Sequence, residues 1–138
     1  MNKAKIYRQA VKYGLATCSS MLFCLFSAGA HAENCDKYST SYDTTYCLSK
    51  LFVESDAELN VAYKELQGVL DQESSKELKM VQRKWIKYRN SQCETSPGTI
   101  NVRCSYDVNV KRTNYLKDRF RECKVGDCDR HLIASPSW

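Results

Sequence analysis

Six cysteines carry most of the chemistry this 138-residue chain can offer: Cys35, Cys47, Cys93, Cys104, Cys123 and Cys128. An even number of thiols in a small exported domain reads as three disulfides, whose connectivity spacing alone leaves open. Zinc fits them poorly, because no pair has CxxC spacing and His131 is the one histidine after residue 32. Hydrolysis or group transfer would need a nucleophile with a base, paired carboxylates or a metal. The acids scatter over solvated helix faces instead, and Glu54 and Glu58, which share a face, have a spacing at which like charges only repel slightly. These residues imply a protein that is no enzyme and takes no cofactor or metal. Arg89 with Asp56 or Glu58 could hold a ligand, but such a pair more often bridges two helices and fixes their register.

The element that must position these groups is the stretch from Val81 to Cys93. At 3.6 residues per turn Val81, Trp85 and Tyr88 share a face, with Leu78 a turn earlier and Ile86 and Cys93 at the margins. Arg83, Lys84 and Lys87 lie on the other face, and Arg89 at the border can lay its stem on apolar surface while its guanidinium reaches a partner. A helix with so wide an aromatic stripe needs neighbours to cover it. Trp85 therefore reads as core.

The first 32 residues read as a secretory signal. Lys3, Lys5, Arg8 and Lys12 precede an apolar run from Leu15 to Ala30, and Ala30-His31-Ala32 offers a small-x-small cleavage site. The run is short for a membrane span. Cys18 and Cys24 would leave with it. The formal charge of +5 would then fall to +1, with 17 bases facing 16 acids. A balance so close to zero gives no net field to argue for nucleic acid or anionic membrane. The expected organisation is a signal at 1–32, a helical domain at 33–123 and a tail at 124–138, exported to the periplasm or secreted with no stable membrane anchor.

From Leu48 through Leu51, Phe52, Ser55, Leu59, Ala62, Tyr63, Leu66 and Val69 to Leu70, apolar or small residues recur at steps of three and four. This predicts a long first helix, capped by Thr44 or Thr45. Ser74 and Glu77 have capping-box spacing and predict the start of the second helix, which runs to Cys93 and stops before Ser96-Pro97-Gly98. The short connection makes these two antiparallel neighbours. A looser stripe over 102–123 predicts a third helix, with Tyr106, Asn109 or Val110, Thr113, Leu116, Phe120 and Cys123 inward. The tail either folds back onto the bundle or stays mobile. Folding the second helix onto the first gathers Cys47, Cys93, Cys104 and Cys35 at one end and leaves Cys123 with Cys128 at the other. Among the four, the preference is Cys35–Cys93 and Cys47–Cys104, each of which would close a long loop and so restrict the unfolded chain. The whole is an all-α, disulfide-stapled bundle of three main helices.

Cys35, Cys47, Asp56-Ala57-Glu58-Leu59-Asn60, Tyr63, Leu66, Gln82-Arg83, Trp85-Ile86, Tyr88-Arg89, Cys93 and Cys104 together resemble the LprI-like lysozyme inhibitor family. The resemblance covers roughly residues 34–123. It implies a compact disulfide-stapled helical fold, an envelope location and, for the namesake, inhibition of lysozyme. Two features depart from the family pattern: the 94–103 loop is shorter and poorer in glycine, and Cys123, Cys128 and the tail are additions. Within the motif, Asp56, Leu59, Asn60, Tyr63, Trp85, Tyr88 and Arg89 read as structural. The loop, with Glu94, Ser96, Pro97, Gly98, Thr99, Ile100 and Asn101, has no core-forming pattern and is pinned by cysteines at both ends. It reads either as a mere helix connector or as the surface that meets a protein partner, a lysozyme-like enzyme or, for an immunity protein, a delivered toxin. A non-inhibitory structural or envelope-stress role is the remaining reading.

Overall fold

The computed structural model describes residues 34–135; the expected signal at 1–32, and Pro136 and Trp138 of the tail, lie outside the described residues. A 3-10 turn, Cys35–Lys37, leads into α1, Ser41–Val69. Then come α2, Gln72–Cys93, a two-stranded antiparallel hairpin of β1, Glu94–Ser96, and β2, Thr99–Ile100, α3, Val102–Lys124, and a single turn, α4, Arg130–Ile133. Three long helices and three disulfides define the chain as an all-α, stapled bundle.

The helix starts differ from those the spacing predicts. Thr40 rather than Thr44 caps α1: its Oγ1 accepts from the Asp43 amide at 3.0 Å, and Asp43 returns a carboxylate contact to the same hydroxyl. Thr44 is spent inside the first turn, donating to the Thr40 carbonyl at 2.9 Å. Asp71 rather than Ser74 caps α2, accepting from the Ser74 amide at 2.7 Å. That contact and the neighbouring Ser74 hydroxyl hold the Asp71 carboxyl below the ordinary carboxylate range. Glu77 is thereby free of a capping box, and it pairs with Arg130 of α4 instead.

The core is drawn from all four helices: Leu59, Ala62 and Leu66 of α1, Leu78 and Trp85 of α2, Leu116 of α3 and Ile133 of α4. The closest backbone approach is between α1 and α3. Their buried positions include Ser55, Ala62, Ser105 and Thr113, whose small side chains let two helices come near each other. The larger Leu78 and Trp85 reach the core from α2. Only Leu70 and Asp71 separate α1 from α2, so α2 returns along α1 and sets Arg89 against Asp56. The tail folds back: Ile133 is 1 % exposed, the Tyr115 hydroxyl donates to the Leu132 carbonyl, and Arg130 pairs with Glu73 and Glu77.

Cys123 pairs with Cys128, but the preferred long-range pairs are replaced by Cys35–Cys47 and Cys93–Cys104. The helix starts explain the correction. With α1 beginning at Ser41, Cys47 sits in its second turn, and the 3-10 turn folds Cys35 back onto it with the Cα atoms 5.7 Å apart. The hairpin likewise returns the chain at once, since the Asn101 amide donates to the Cys93 carbonyl at 2.7 Å. Cys104, in the first turn of α3, then meets Cys93 before anything on α1 can. The Cys35–Cys93 and Cys47–Cys104 pairing is therefore wrong. Each bridge closes a chain separation of only 12, 11 or 5 residues.

Candidate functional site

Three helices converge on one guanidinium. Arg89 Nη1 donates to Asp56 Oδ1 at 2.9 Å and to Asn109 Oδ1 at 3.0 Å. Its Nε and Nη2 both reach Asn90 Oδ1, at 3.3 and 3.2 Å. Asn109 has no exposed surface and donates onward from Nδ2 to Ser55 Oγ at 3.1 Å, which in turn donates to the Phe52 carbonyl at 2.8 Å. The side chain that ties α1, α2 and α3 together thus comes from the α2 motif, and buried polar groups are satisfied through it. Glu58 takes no part in this; it faces Lys117 at 3.7 Å on the surface. Asn60, a turn after Asp56, donates to the Asp56 carbonyl at 2.9 Å, and Tyr63 accepts from Gln67 at 3.3 Å.

Trp85 is 1 % exposed and lies under two arginines, the Arg89 guanidinium 5.4 Å and the Arg112 guanidinium 6.0 Å from its ring. Arg112 is the residue that spacing arguments miss. It is 2 % exposed, donates from Nε to Gln82 Oε1 at 3.1 Å and lies 5.3 Å from the Tyr115 ring. Its Nη1 and Nη2 have no hydrogen-bond partner, so aromatic faces carry part of the load. Burial pushes its pKa down to about 10, which leaves it protonated at neutral pH. Its position between Asn109 and Leu116 on the inward stripe was the available signal. Gln82, Trp85 and Arg89 therefore each serve the interior, and Leu59 and Tyr88 pack in or against the same core.

Between α1 and α2 this interior opens into a groove of about 340 Å³, walled by Asn60 and Tyr63 on one side and by Lys79, Arg83 and Ile86 on the other. No nucleophile–base pair lines it.

The second candidate region is the hairpin, and its residues lie at one end of the bundle. Glu94, Ser96, Pro97, Gly98, Thr99, Ile100 and Asn101 are all exposed, and Ile100 keeps 55 % of its surface. Gly98 has φ +77°, a left-handed conformation in which a side chain would be strained. Its amide donates to Glu94 Oε1 at 2.9 Å, and Thr95 Oγ1 donates to the Thr99 carbonyl at 3.3 Å. Asn101 closes the base twice, through its amide to Cys93 and through Oδ1, which accepts from the Cys104 amide at 3.0 Å to cap α3. The Cys93–Cys104 bridge clamps the same base. Nearby, Arg103 pairs with Asp36 of the leading turn. What sequence patterning reads as an irregular loop is a braced hairpin, formed because Pro97-Gly98 supplies the reversal.

The bundle uses its polar residues in its own interior and projects one clamped hairpin, the build of a small disulfide-stapled helical protein. The chain belongs to the lysozyme inhibitor LprI family, whose sequence profile matches residues 33–116. No curated protein and no solved structure matches it. The match includes the α2 motif, the hairpin and both partners of the first two disulfides, and it ends before Cys123 and Cys128. The family is an inhibitor family by name; that name implies a protein partner such as lysozyme, and with the disulfides it points to a location outside the cytoplasm.

Proposed function

We propose that this protein inhibits a lysozyme, or a related peptidoglycan-cleaving enzyme, by seating the hairpin at 94–101 in the substrate cleft. One observation carries the reading: every residue from Glu94 to Asn101 is exposed, yet the segment is fixed at its base by a disulfide and by the Asn101–Cys93 backbone bond. A segment already held in one conformation loses little entropy on docking. Ile100 supplies an apolar anchor for a pocket, and Glu94 is the hairpin's one acid, suited to the basic surface common among lysozymes. The family name supports the enzyme class, and the hairpin geometry supports the mode.

Titration of the purified protein against c-type, g-type and i-type lysozymes tests the activity, and no inhibition of any of them at micromolar excess would refute it. Replacing Ser96 to Ile100 with a Gly-Ser linker tests the site. The expected outcome is loss of inhibition with a nearly unchanged melting temperature, since none of these side chains enters the core. Retained potency would move the contact elsewhere on the bundle.

A further inference from the structure

The balance of 17 bases to 16 acids after residue 32 is an average over an uneven surface. Outside α2 most cations are matched, Lys50 with Glu54, Arg103 with Asp36, Lys117 with Glu58, Arg119 with Glu122 and Arg121 with Asp118, while Lys64, Lys111 and Lys124, without an ion pair among the described residues, stand singly on α1 and α3. The outer face of α2 differs. Lys76, Lys79, Arg83, Lys84 and Lys87 are all exposed, and none has an ion-pair partner among the described residues. No acid occurs between Glu77 and Glu94, and Glu77 itself is occupied by Arg130. At helical spacing the five share one stripe, which runs roughly 16 Å from Lys76 to Lys87 at 1.5 Å per residue. Met80 stands inside the stripe with 57 % of its surface exposed, and Ile86 at its edge keeps 40 %.

We propose that this face of α2 is a docking surface for a bilayer rich in anionic phospholipids. The cations are spaced along a rod and do not converge on a point, so they match a sheet of headgroups better than one small anion. Long side chains on a convex helix can spread to reach a plane. Met80, surrounded by cations, gains a partner in the headgroup and acyl boundary that a soluble polyanion would not supply. Attachment through this face would be peripheral, made by side chains on the outside of a helix. The stripe ends before Cys93 and the hairpin follows it, so docking through α2 leaves the hairpin free. The inference stands independently of the inhibitory reading.

Vesicle co-sedimentation of the disulfide-intact protein tests it, with phosphatidylcholine vesicles compared against phosphatidylcholine–phosphatidylglycerol mixtures. Binding to the anionic vesicles alone, weakening as salt rises, is the expected result. Each Lys or Arg near such a surface contributes about fivefold in affinity, so the combined Lys79→Glu, Arg83→Glu, Lys87→Glu variant should lose at least about a hundredfold. The milder Lys76→Gln, Lys87→Gln variant should lose about tenfold or more, and both should keep the wild-type circular dichroism spectrum. Met80→Ser should lower binding to the anionic vesicles without changing its salt dependence. Equal retention on both vesicle types, or unimpaired binding by folded variants, would overturn the proposal. Capture by soluble polyphosphate with none by anionic vesicles would overturn it as well, in favour of a polyanion site.

Discussion

The interior around Arg89 and the hairpin at 94–101 are separated by a few residues of one chain, yet they use polar groups in opposite ways. Around Arg89, Asp56, Asn109 and Ser55 are consumed by one another, and nearby Gln82 and Trp85 are turned to the buried Arg112. In the hairpin, side chains brace the turn and leave their surfaces outward. The α2 motif is thus spent on architecture, while the hairpin proposed to meet a partner lies outside it. The two regions should respond to mutation in different currencies: stability for the first, binding for the second.

Trp85→Ala should produce the largest loss. It empties the space between two arginines and should cost about 3–5 kcal/mol, read by urea denaturation. Arg89→Met should cost less, about 2 kcal/mol. It strands Asn109 in the interior, although Asp56, with a side chain 43 % exposed, can recover some hydration. A loss below about 0.5 kcal/mol would show that the convergence of three helices on Arg89 is not a stabilising contact.

Removing the Cys93–Cys104 bridge by paired serine substitution probes the boundary between the two regions. Loop-closure entropy for so short a separation puts the cost at about 2–3 kcal/mol. The hairpin base would loosen at the same time, so inhibition should weaken at temperatures where the bundle is still folded. Unchanged inhibition there would show that the Asn101 contacts alone hold the hairpin.

Glu77→Gln should have the smallest effect, present near neutrality and lost in acid. The Arg130 guanidinium hydrogen-bonds Glu77 and holds its carboxyl below the usual value of 4.5. A carboxyl depressed in the folded state contributes stability that is present above its unfolded pKa and is lost as pH falls through the folded one. The variant's melting temperature should therefore match wild type at low pH and fall slightly below it near neutrality, with the gap shrinking in high salt. A gap of the opposite sign would mean that the contact with α4 does not form in solution.

Helix number, the inward stripe of α2 and the end of that helix were legible because apolar periodicity and the Ser96-Pro97-Gly98 breaker are strong local signals. Helix starts were less so. Thr40 and Thr44 are both competent caps, as are Asp71 and Ser74, and tertiary packing selects between them. That selection moved the first disulfide: starting α1 one turn earlier brings Cys47 within reach of Cys35. Among the site residues, the sequence narrowed the partner of Arg89 to Asp56 or Glu58, and the fold selects Asp56. Arg112 could not be placed from it, because a charged residue on a loose stripe reads as surface until Trp85, Tyr115 and Gln82 surround it. The hairpin's exposure followed from its lack of pattern, but its strands are too short for alternation to announce them.

The six cysteines among the described residues pair strictly in order of appearance, first with second, third with fourth, fifth with sixth. An oxidase working on the chain as it emerges N-terminus first would make the correct bond each time simply by joining the two most recent thiols. Maturation should then proceed without an isomerase, and yield in a strain lacking disulfide shuffling should equal that in a strain that has it.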